Sequence, residues 1–547
     1  MIQAQRLPGV PPPPILEDPS ILESYLEDAS GAPPGRAAGL VRPASETEAA
    51  AFLRASRERG LKILPQAARS SLTGGAIPQG EAVLSVEGMS EIGAVVPCGS
   101  GARVEVGPGV RLDALQGELA PRGWYYPPVP TYRQAMLGGT VSTNAGGAAT
   151  FKYGATRRWV HGLRVLLANG DLLTLERGQA VAARDGSFRI RLTDGRELSV
   201  PVPSHRLPRL KKISAGYHAA DPLDLVDLFV GSEGTLGLIT AVTVELIPMP
   251  SSVVTGWVFL SDPPEALRLA ATLRAAAEQA RGRGDARGPD VRAIEWLDEE
   301  SLEILRRRGE ARRRRIALSA EARAALLFEV ELAEPVDDRG AEDLLAAFTD
   351  RRPEVPDHPL VRLFRILEEH SALERLVLAF PEDTRRQEAL AGLREAVPQG
   401  VGELLAERRR EEPGVEKVGG DLIVPPAELP GMIDSYVRGF VDRGLDYAIW
   451  GHLGDGNLHP NALPRSRDEV QRGFEALLEF AEEAAQRGGC PLSEHGVGRS
   501  AIKQRMLRNF LGDAAIERMR RIKEALDPEG RLAPGVLFPA RPESASA

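Results

Sequence analysis

Two histidines, His452 and His459, stand seven positions apart around a Gly-Asp-Gly-Asn core. The apolar residues 445–450 that precede them predict a buried strand. Three glycines within six positions allow the chain to turn tightly and bring both imidazoles together. Because two histidines on one helix face would be three or four positions apart, this spacing predicts a strand-loop site. Imidazole is a common ligand of borderline divalent metals, while a Gly-Asn turn with two hydrogen-bonded histidines is an equal alternative.

A carboxylate that could complete a metal site follows at Glu494, next to His495 and among glycines. Two histidines and one carboxylate leave coordination positions open, which is the form used for catalysis. The sequence therefore predicts His452, His459 and Glu494 as ligands of Zn, Mn or Fe. The alternatives are a solvent-exposed Glu-His pair, or Glu494 as the cap of a following helix.

Composition restricts the class of protein. The 547 residues predict two or three domains, and 43% hydrophobic with 27% charged residues is ordinary for a globular protein. A net charge of -9 argues against a general nucleic-acid binder, and two cysteines are too few for an iron–sulfur cluster. Since the N-terminus has no secretory signal and no apolar run suits a transmembrane segment, we expect a cytoplasmic protein.

Three segments rich in small residues suit the close approach of backbone to a ligand. Residues 66–75 follow a predicted strand at 61–65 and expose backbone N–H groups in a concavity suited to phosphate. Residues 138–147 read Gly-Gly-Thr-Val-Ser-Thr-Asn-Ala-Gly-Gly, and residues 231–237 read Gly-Ser-Glu-Gly-Thr-Leu-Gly. A plain turn or a glycine-rich surface loop is the alternative for each segment taken alone.

In this order, and with Lys-Ile-Ser-Ala-Gly-Tyr at residues 212–217, the segments resemble the FAD-binding domain of the vanillyl-alcohol oxidase/p-cresol methylhydroxylase (PCMH-type) family. The resemblance implies FAD wrapped by the three segments, and we expect it to be non-covalent because the first segment has no histidine. The implied FAD-binding residues are Gln66, Ala67, Ala68, Arg69, Ser70, Ser71, Gly74, Gly138, Gly139, Thr143, Asn144, Gly146, Gly147, Tyr153, Gly154, Glu233, Gly234 and Ile239.

The motif Gly-His-x-Gly-Asp-Gly-Asn-x-His, together with Ser-Glu-His-Gly-x-Gly, narrows the resemblance. It resembles the branch with cytochrome-type D-lactate dehydrogenase, the FAD subunit of glycolate oxidase and D-2-hydroxyglutarate dehydrogenase. This implies oxidation of a D-2-hydroxy acid to the 2-oxo acid, with hydride passing to flavin N5 and a divalent metal orienting the substrate. His495 is the predicted base, and Arg408 (or Arg409 or Arg410) or Lys417 would bind the substrate carboxylate.

The resemblance also implies partners and alternatives. Electrons would leave to a separate acceptor, such as a cytochrome, an electron-transfer flavoprotein, quinone or oxygen. The expected oligomeric state is a homodimer, and the expected location is cytoplasmic or peripheral at the membrane. The alternatives are an alkyl-glycerone-phosphate synthase-like flavoenzyme, an alcohol or sugar oxidase on the same fold, and a flavin-binding electron-transfer subunit without turnover. The histidine and carboxylate set argues against all three.

The predicted fold class is α+β. Residues 1–39 form a lead-in, 40–250 a two-subdomain PCMH-type FAD-binding domain, 251–496 a substrate (cap) domain, and 497–547 a C-terminal segment completing the FAD domain. Strands alternating with helices in residues 251–496 predict an α+β cap on an antiparallel, ferredoxin-like sheet. The basic run at residues 306–315 is interpreted as a solvated helix face, with docking of an acidic acceptor protein as the alternative.

Overall fold

The computed structural model describes residues 1–128 and 130–539, so residues 540–547 of the predicted C-terminal segment lie outside the described residues. The chain divides into two units. The first comprises Met1–Gly147, Gly154–Pro248 and the chain from Cys490 onward, and the second comprises Ala148–Tyr153 and Met249–Gly489. Glu494 and His495 therefore belong to the first unit, whereas the sequence analysis placed them in the cap.

The first unit contains three sheets. A parallel sheet has Ala82–Ser85 between Gly39–Val41 and Ile63–Gln66. An antiparallel sheet is ordered Val96–Cys98, Gly101–Val106, Leu238–Pro248, Val160–Leu166, Leu172–Glu176, with Trp124–Tyr125 also paired to Leu238–Pro248. The third is ordered Ile2–Gln3, Ser187–Arg191, Glu197–Pro201.

The first unit also contains α-helices, several of which contact these sheets. They are Pro19–Leu22, Glu46–Glu58, Leu112–Leu119, Leu137–Thr143, Leu225–Phe229, Ala501–Leu511 and Asp513–Leu526, with short 3₁₀ turns at Glu23–Tyr25, Ala120–Arg122 and Thr156–Trp159. Ser45 caps the helix Glu46–Glu58: its hydroxyl accepts from the Glu48 N–H at 3.3 Å, and the Glu48 carboxylate accepts from the Ala44 N–H at 2.7 Å. Phe52 and Leu53 of that helix pack with Leu84 and Leu166 in one apolar cluster that spans two sheets.

The second unit is built on one antiparallel sheet, which confirms the predicted α+β cap. Its order is Leu376–Ala379, Ser252–Leu260, Ala324–Leu332, Asp290–Leu297, Tyr447–His452, Asn457–Ala462, Val418–Gly419, with Leu422–Ile423 also paired to Asn457–Ala462. Its helices are Thr150–Tyr153, Pro263–Arg283, Glu299–Arg307, Glu310–Arg313, Asp338–Thr349, Pro359–Glu369, Thr384–Glu411, Leu429–Val441 and Arg467–Gln486, with 3₁₀ turns at Leu373–Arg375 and Pro426–Glu428.

Two surface features bear on the expectations about partners and membranes. Arginines of the basic run pair with nearby glutamates, as Arg308 does with Glu403 and Arg314 with Glu310, which agrees with a solvated helix surface. Among the helices of residues 1–128 and 130–539, none has the length and apolar character needed to cross a membrane.

Candidate active site

A cavity of about 290 Å³ in the first unit is lined by residues of all three small-residue segments. Ligand pockets commonly start near this size. The predicted FAD-binding residues on its wall are Gln66, Ala67, Ala68, Arg69, Ser70, Ser71, Gly138, Gly139, Thr143, Gly146, Glu233, Gly234 and Ile239. The predicted residues that are not on its wall are Gly74, Asn144, Gly147, Tyr153 and Gly154.

The first loop presents unused backbone donors to this cavity. Arg69 adopts a left-handed conformation, with a φ of 58°, which turns the chain sharply after the strand Ile63–Gln66. Within the described part of the chain, the N–H groups of Ala68, Arg69 and Ser70 donate to no acceptor. Gln66 donates its amide to Tyr25 and Ala76 carbonyl groups, while its Oε1 is buried and lacks a partner among the described residues. Such clustered donors suit an anion such as a phosphate.

The second segment is partly helical, although its glycines suggested an irregular backbone. Leu137–Thr143 forms a helix that ends at Asn144, whose φ of 51° is left-handed. A Cβ at Gly138 would lie 2.6 Å from Pro108 Cβ, so this glycine permits the helix to approach that proline. The Asn144 amide donates to the Ile213 carbonyl at 3.1 Å and accepts from the Arg157 N–H at 2.9 Å. The Asn144 side chain thus fixes the C-terminal end of this helix to the backbone of Ile213 and Arg157.

His495 and Glu494 lie on the wall of the same cavity, within the first unit. Before them, the Leu492 carbonyl accepts a hydrogen bond from the Ser214 N–H at 3.0 Å. After them, the Val497 and Gly498 N–H groups each donate to the Glu233 carboxylate at 2.8 Å. The segment that carries His495 is consequently tied down on both sides.

Glycine is required at two positions of that segment. A Cβ at Gly496 would lie 2.9 Å from Glu233 Oε1, and one at Gly498 would lie 2.3 Å from Thr73 Oγ1. Both glycines also have left-handed φ angles, of 74° and 56°. The Gly-x-Gly after His495 is therefore explained by close approach to the first and third small-residue segments.

Glu494 is held by a buried ion pair. Its Oε2 lies 2.6 Å from Lys212 Nζ, and the Lys212 side chain is fully buried. The other oxygen, Oε1, lies 3.7 Å from His495 Nε2. Because breaking a buried ion pair leaves an uncompensated charge, Lys212 fixes the position of this carboxylate strongly. Lys212 opens the family-like segment at residues 212–217, but its type and position in the sequence did not mark it as a site residue.

Tyr153 belongs to the second unit, where it joins a different group of charged residues. Its hydroxyl donates to the Glu331 carboxylate at 2.6 Å and 2.7 Å. Lys152 Nζ also contacts Glu331, and it lies 2.5 Å from Asp290 Oδ2. These contacts anchor Ala148–Tyr153 on the sheet of the second unit.

The second unit contributes the paired histidines. His452 ends the strand Tyr447–His452, His459 lies in Asn457–Ala462, and the two rings meet edge to face with centroids 5.5 Å apart. The hairpin depends on Gly456, whose φ is 93° and where a Cβ would lie 2.1 Å from the Val424 carbonyl oxygen. The glycines thus allow the two imidazoles to contact each other.

Two buried carboxylates beside these histidines were missed by the sequence analysis. Glu295 Oε1 lies 2.5 Å from His452 Nδ1, and Asp421 Oδ1 lies 3.7 Å from His459 Nδ1. The available signal for Glu295 was a single acidic residue in the apolar strand Asp290–Leu297. For Asp421, the signal was an acidic residue directly before the apolar residues 422–424.

The predicted substrate-binding cations differ in their surroundings. Arg408 has its guanidinium engaged by Asp446, at 2.8 Å, and by the Leu463 carbonyl. Arg409 donates to the Val415 carbonyl at 2.9 Å. Lys417 directly precedes Val418–Gly419, the strand that pairs with the strand of His459. The guanidinium groups of Arg408 and Arg409 are thus both engaged by neighbouring groups of the second unit.

Comparison with known proteins identifies the family of the chain. The family model "FAD binding domain" matches residues 37–176, and "FAD linked oxidases, C-terminal domain" matches residues 266–537. The chain belongs to the FAD-linked oxidases. This confirms the resemblance to the PCMH-type family, and the protein is an FAD-linked oxidoreductase.

Curated relatives match over nearly the whole chain. Glycolate oxidase subunit GlcD of Bacillus subtilis is 28% identical, over 91% of this chain and 88% of its own. Mitochondrial D-2-hydroxyglutarate dehydrogenase of Bos taurus is 27% identical, over 97% and 82%. D-lactate dehydrogenase of Archaeoglobus fulgidus is 26% identical, over 91% and 90%.

Among solved structures, alkyldihydroxyacetonephosphate synthase aligns with a TM-score of 0.53 at 15% identity, covering 90% of this chain and 76% of that one. At this identity the likeness shows the fold alone.

The cavity of the first unit fits FAD. The exposed N–H groups of Ala68, Arg69 and Ser70 are suited to a pyrophosphate. Gly138 and Gly139 bring backbone to the wall without side-chain bulk, which suits an extended dinucleotide.

Gly138→Ala is expected to disturb FAD binding. The added Cβ would meet the rigid Pro108 ring and force the helix outward, at a cost of about 1–3 kcal/mol. The purified variant should unfold at lower temperature and retain less FAD per chain, measured by absorbance and by flavin fluorescence during heating. The matched control is Gly117→Ala, since Gly117 also lies in a helix but has nothing within 4 Å of an added Cβ. It should keep its FAD and be stabilised by roughly 0.5–1 kcal/mol.

Glu233 should make stability depend on pH. Burial raises the pKa of Glu233 to about 7, while the N–H groups of Val497 and Gly498 oppose that shift. The raised pKa belongs to the folded state, so the protonated form of Glu233 favours folding relative to the ionised form. This contribution to the unfolding free energy is complete below about pH 4.3 and is lost as the pH rises through about 7. The unfolding free energy of the wild type, relative to Glu233→Gln, should therefore fall by up to about 3 kcal/mol over this range.

Thermal unfolding at intervals from pH 5 to pH 8 measures that difference. Glu105→Gln, which alters an exposed carboxylate of the same unit, controls for the loss of one charge. If the wild type instead became more stable relative to Glu233→Gln as the pH rises, the two backbone hydrogen bonds would stabilise the ionised carboxylate by more than burial destabilises it.

Proposed function

We propose that this flavoenzyme oxidises a D-2-hydroxy acid to the corresponding 2-oxo acid. The observation that carries the proposal is that His495 and Glu494 line the same cavity as the FAD-binding loops. Three relatives of similar length are named for glycolate, D-lactate and D-2-hydroxyglutarate, which share a hydroxyl group beside a carboxylate. The substrate loses a proton from its hydroxyl and a hydride from its carbon.

His495 is the proposed general base. An imidazole accepts a proton near neutral pH, and His495 is held at the cavity wall by its neighbours on both sides. Glu494, at 3.7 Å from His495 Nε2, offers a negative charge that stabilises the imidazolium formed when the hydroxyl proton is taken. The ion pair with Lys212 keeps that carboxylate in place.

FAD, when bound, supplies the acceptor for the two electrons of the substrate. We propose a divalent cation as a further component, with His452, His459 and Glu494 as ligands. The donor types suit such an ion, because imidazole and carboxylate are ligands of Zn²⁺, Mn²⁺ and Fe²⁺. Within the second unit, the rings of His452 and His459 are in contact, with centroids 5.5 Å apart. A bound cation would supply Lewis-acid polarisation of the hydroxyl group.

Lys417 or Arg408 is the proposed partner of the substrate carboxylate: Lys417 directly precedes the strand that pairs with the strand of His459, and Arg408 is held by Asp446. Electrons then leave to a separate acceptor, for which we propose a cytochrome, an electron-transfer flavoprotein or quinone. The chain contains only Cys98 and Cys490, which excludes an iron–sulfur relay of its own.

Anaerobic mixing with D-2-hydroxy acids tests the proposed function. D-lactate, glycolate and D-2-hydroxyglutarate should be compared with L-lactate and with simple alcohols. At least one D-2-hydroxy acid or glycolate is expected to bleach the visible flavin absorbance, with equimolar 2-oxo acid detected afterwards. If the panel leaves the flavin oxidised while a simple alcohol reduces it, the proposal is wrong.

His495→Asn is expected to slow flavin reduction by roughly 10²–10⁴-fold, because an amide cannot accept the hydroxyl proton. FAD content should stay at the wild-type level, and the rate constant is measured by stopped-flow absorbance. His161→Asn is the matched control, since His161 lies on the strand Val160–Leu166 and away from the cavity wall. Reduction of the His495 variant at the wild-type rate would remove this residue from its role as base.

A further inference from the structure

Glu295 is a buried carboxylate in the middle of the second-unit sheet, where apolar side chains are the rule. It lies in the strand Asp290–Leu297, next to the buried Trp296, and is 3% exposed. Both oxygens are engaged by charged or polar side chains. Oε1 is 2.5 Å from His452 Nδ1, and Oε2 is 2.7 Å from Arg394 Nε.

This arrangement orients His452. Arg394, on the helix Thr384–Glu411, is also buried and carries a permanent positive charge, so it fixes the Glu295 carboxylate. The carboxylate in turn accepts the hydrogen of His452 Nδ1. In the neutral imidazole the lone pair is then on Nε2, which is the ring nitrogen that can bind a metal ion.

Burial makes the orientation specific. The side chains of His452 and Glu295 are each 3% exposed and that of Arg394 is 7% exposed, so water competes weakly for these contacts. Strand pairing fixes the spacing as well, because Trp296, next to Glu295, pairs with Gly451, next to His452. The carboxylate and the imidazole are therefore presented to each other by two adjacent strands.

We propose that Glu295, fixed by Arg394, is a positioning residue that holds His452 in the tautomer and ring orientation needed to bind a divalent cation through Nε2. This inference rests on the proposed function, which includes such a cation. Carboxylates that orient metal-binding histidines commonly contribute 10–100-fold to metal affinity. A purely structural ion pair would instead affect folding stability and leave metal affinity unchanged.

The double variant Glu295→Leu/Arg394→Met separates these roles. Replacing both partners of a buried ion pair by apolar residues of similar volume commonly preserves stability. We expect the folded holoenzyme to keep its FAD and its unfolding temperature within a few degrees of the wild type. After chelation and dialysis, calorimetric titration with Mn²⁺ and with Zn²⁺ should show affinity reduced about 10–100-fold. Activity should recover partly at high metal concentration.

Two further variants complete the test. Glu295→Gln keeps an acceptor oxygen for His452 Nδ1 but loses the charge, so its affinity should fall by less than that of the double variant. Glu329→Leu/Arg292→Met is the matched control: Glu329 and Arg292 pair at 2.6 Å on adjacent strands of the same sheet, away from the histidines. The control should bind metal as the wild type does. If the double variant does not fold, the titration of Glu295→Gln decides.

The outcomes are distinguishable. A chelated wild type that binds neither ion and keeps full activity contradicts the metal component of the proposed function. A wild type that binds metal, together with Glu295 variants of unchanged affinity, overturns the positioning role and leaves the proposed function intact. If metal binding is weakened in the control variant as well, the positioning role of Glu295 is also overturned. The loss of metal affinity would then follow from the removal of any ion pair of this sheet.

Discussion

The close packing of one glycine turn holds the first-unit site together. At Gly496 and Gly498 the backbone approaches Glu233 and Thr73 so closely that no Cβ fits. Two N–H groups of this turn donate to the Glu233 carboxylate, which belongs to the third small-residue segment. Because this packing joins a C-terminal segment to loops that are distant in sequence, it determines where His495 stands relative to the FAD cavity.

Buried carboxylates play a similar part in both units. In the first unit, Lys212 holds Glu494 beside His495, and in the second unit Arg394 holds Glu295 beside His452. Each carboxylate thus has a permanent or buried cation on one oxygen and an imidazole near the other. Such pairs are costly to bury, but they restrict the geometry of the imidazole much more than solvent would.

Short patterns of small residues predicted much of the protein. The family followed from three segments of small residues, and the antiparallel cap followed from strands alternating with helices in residues 251–496. Most of the residues that the resemblance implied for FAD lie on the wall of one cavity of the first unit. The helical form of Leu137–Thr143 and the hydrogen bonds of Asn144 could not be predicted from these segments, because they depend on contacts with Pro108 and Ile213. The assignment of Glu494 to the cap also failed, because segment order along the chain does not reveal which unit a returning segment joins.

By itself the sequence determined the chemical groups: two histidines in a glycine-rich hairpin, a Glu-His pair, and loops suited to a dinucleotide. Tertiary structure decided what positions them. Glu295 lies 157 residues from His452, and Lys212 lies 282 residues from Glu494. Neither pair leaves a local pattern, because a strand register or a buried ion pair depends on which distant segments become neighbours when the chain folds.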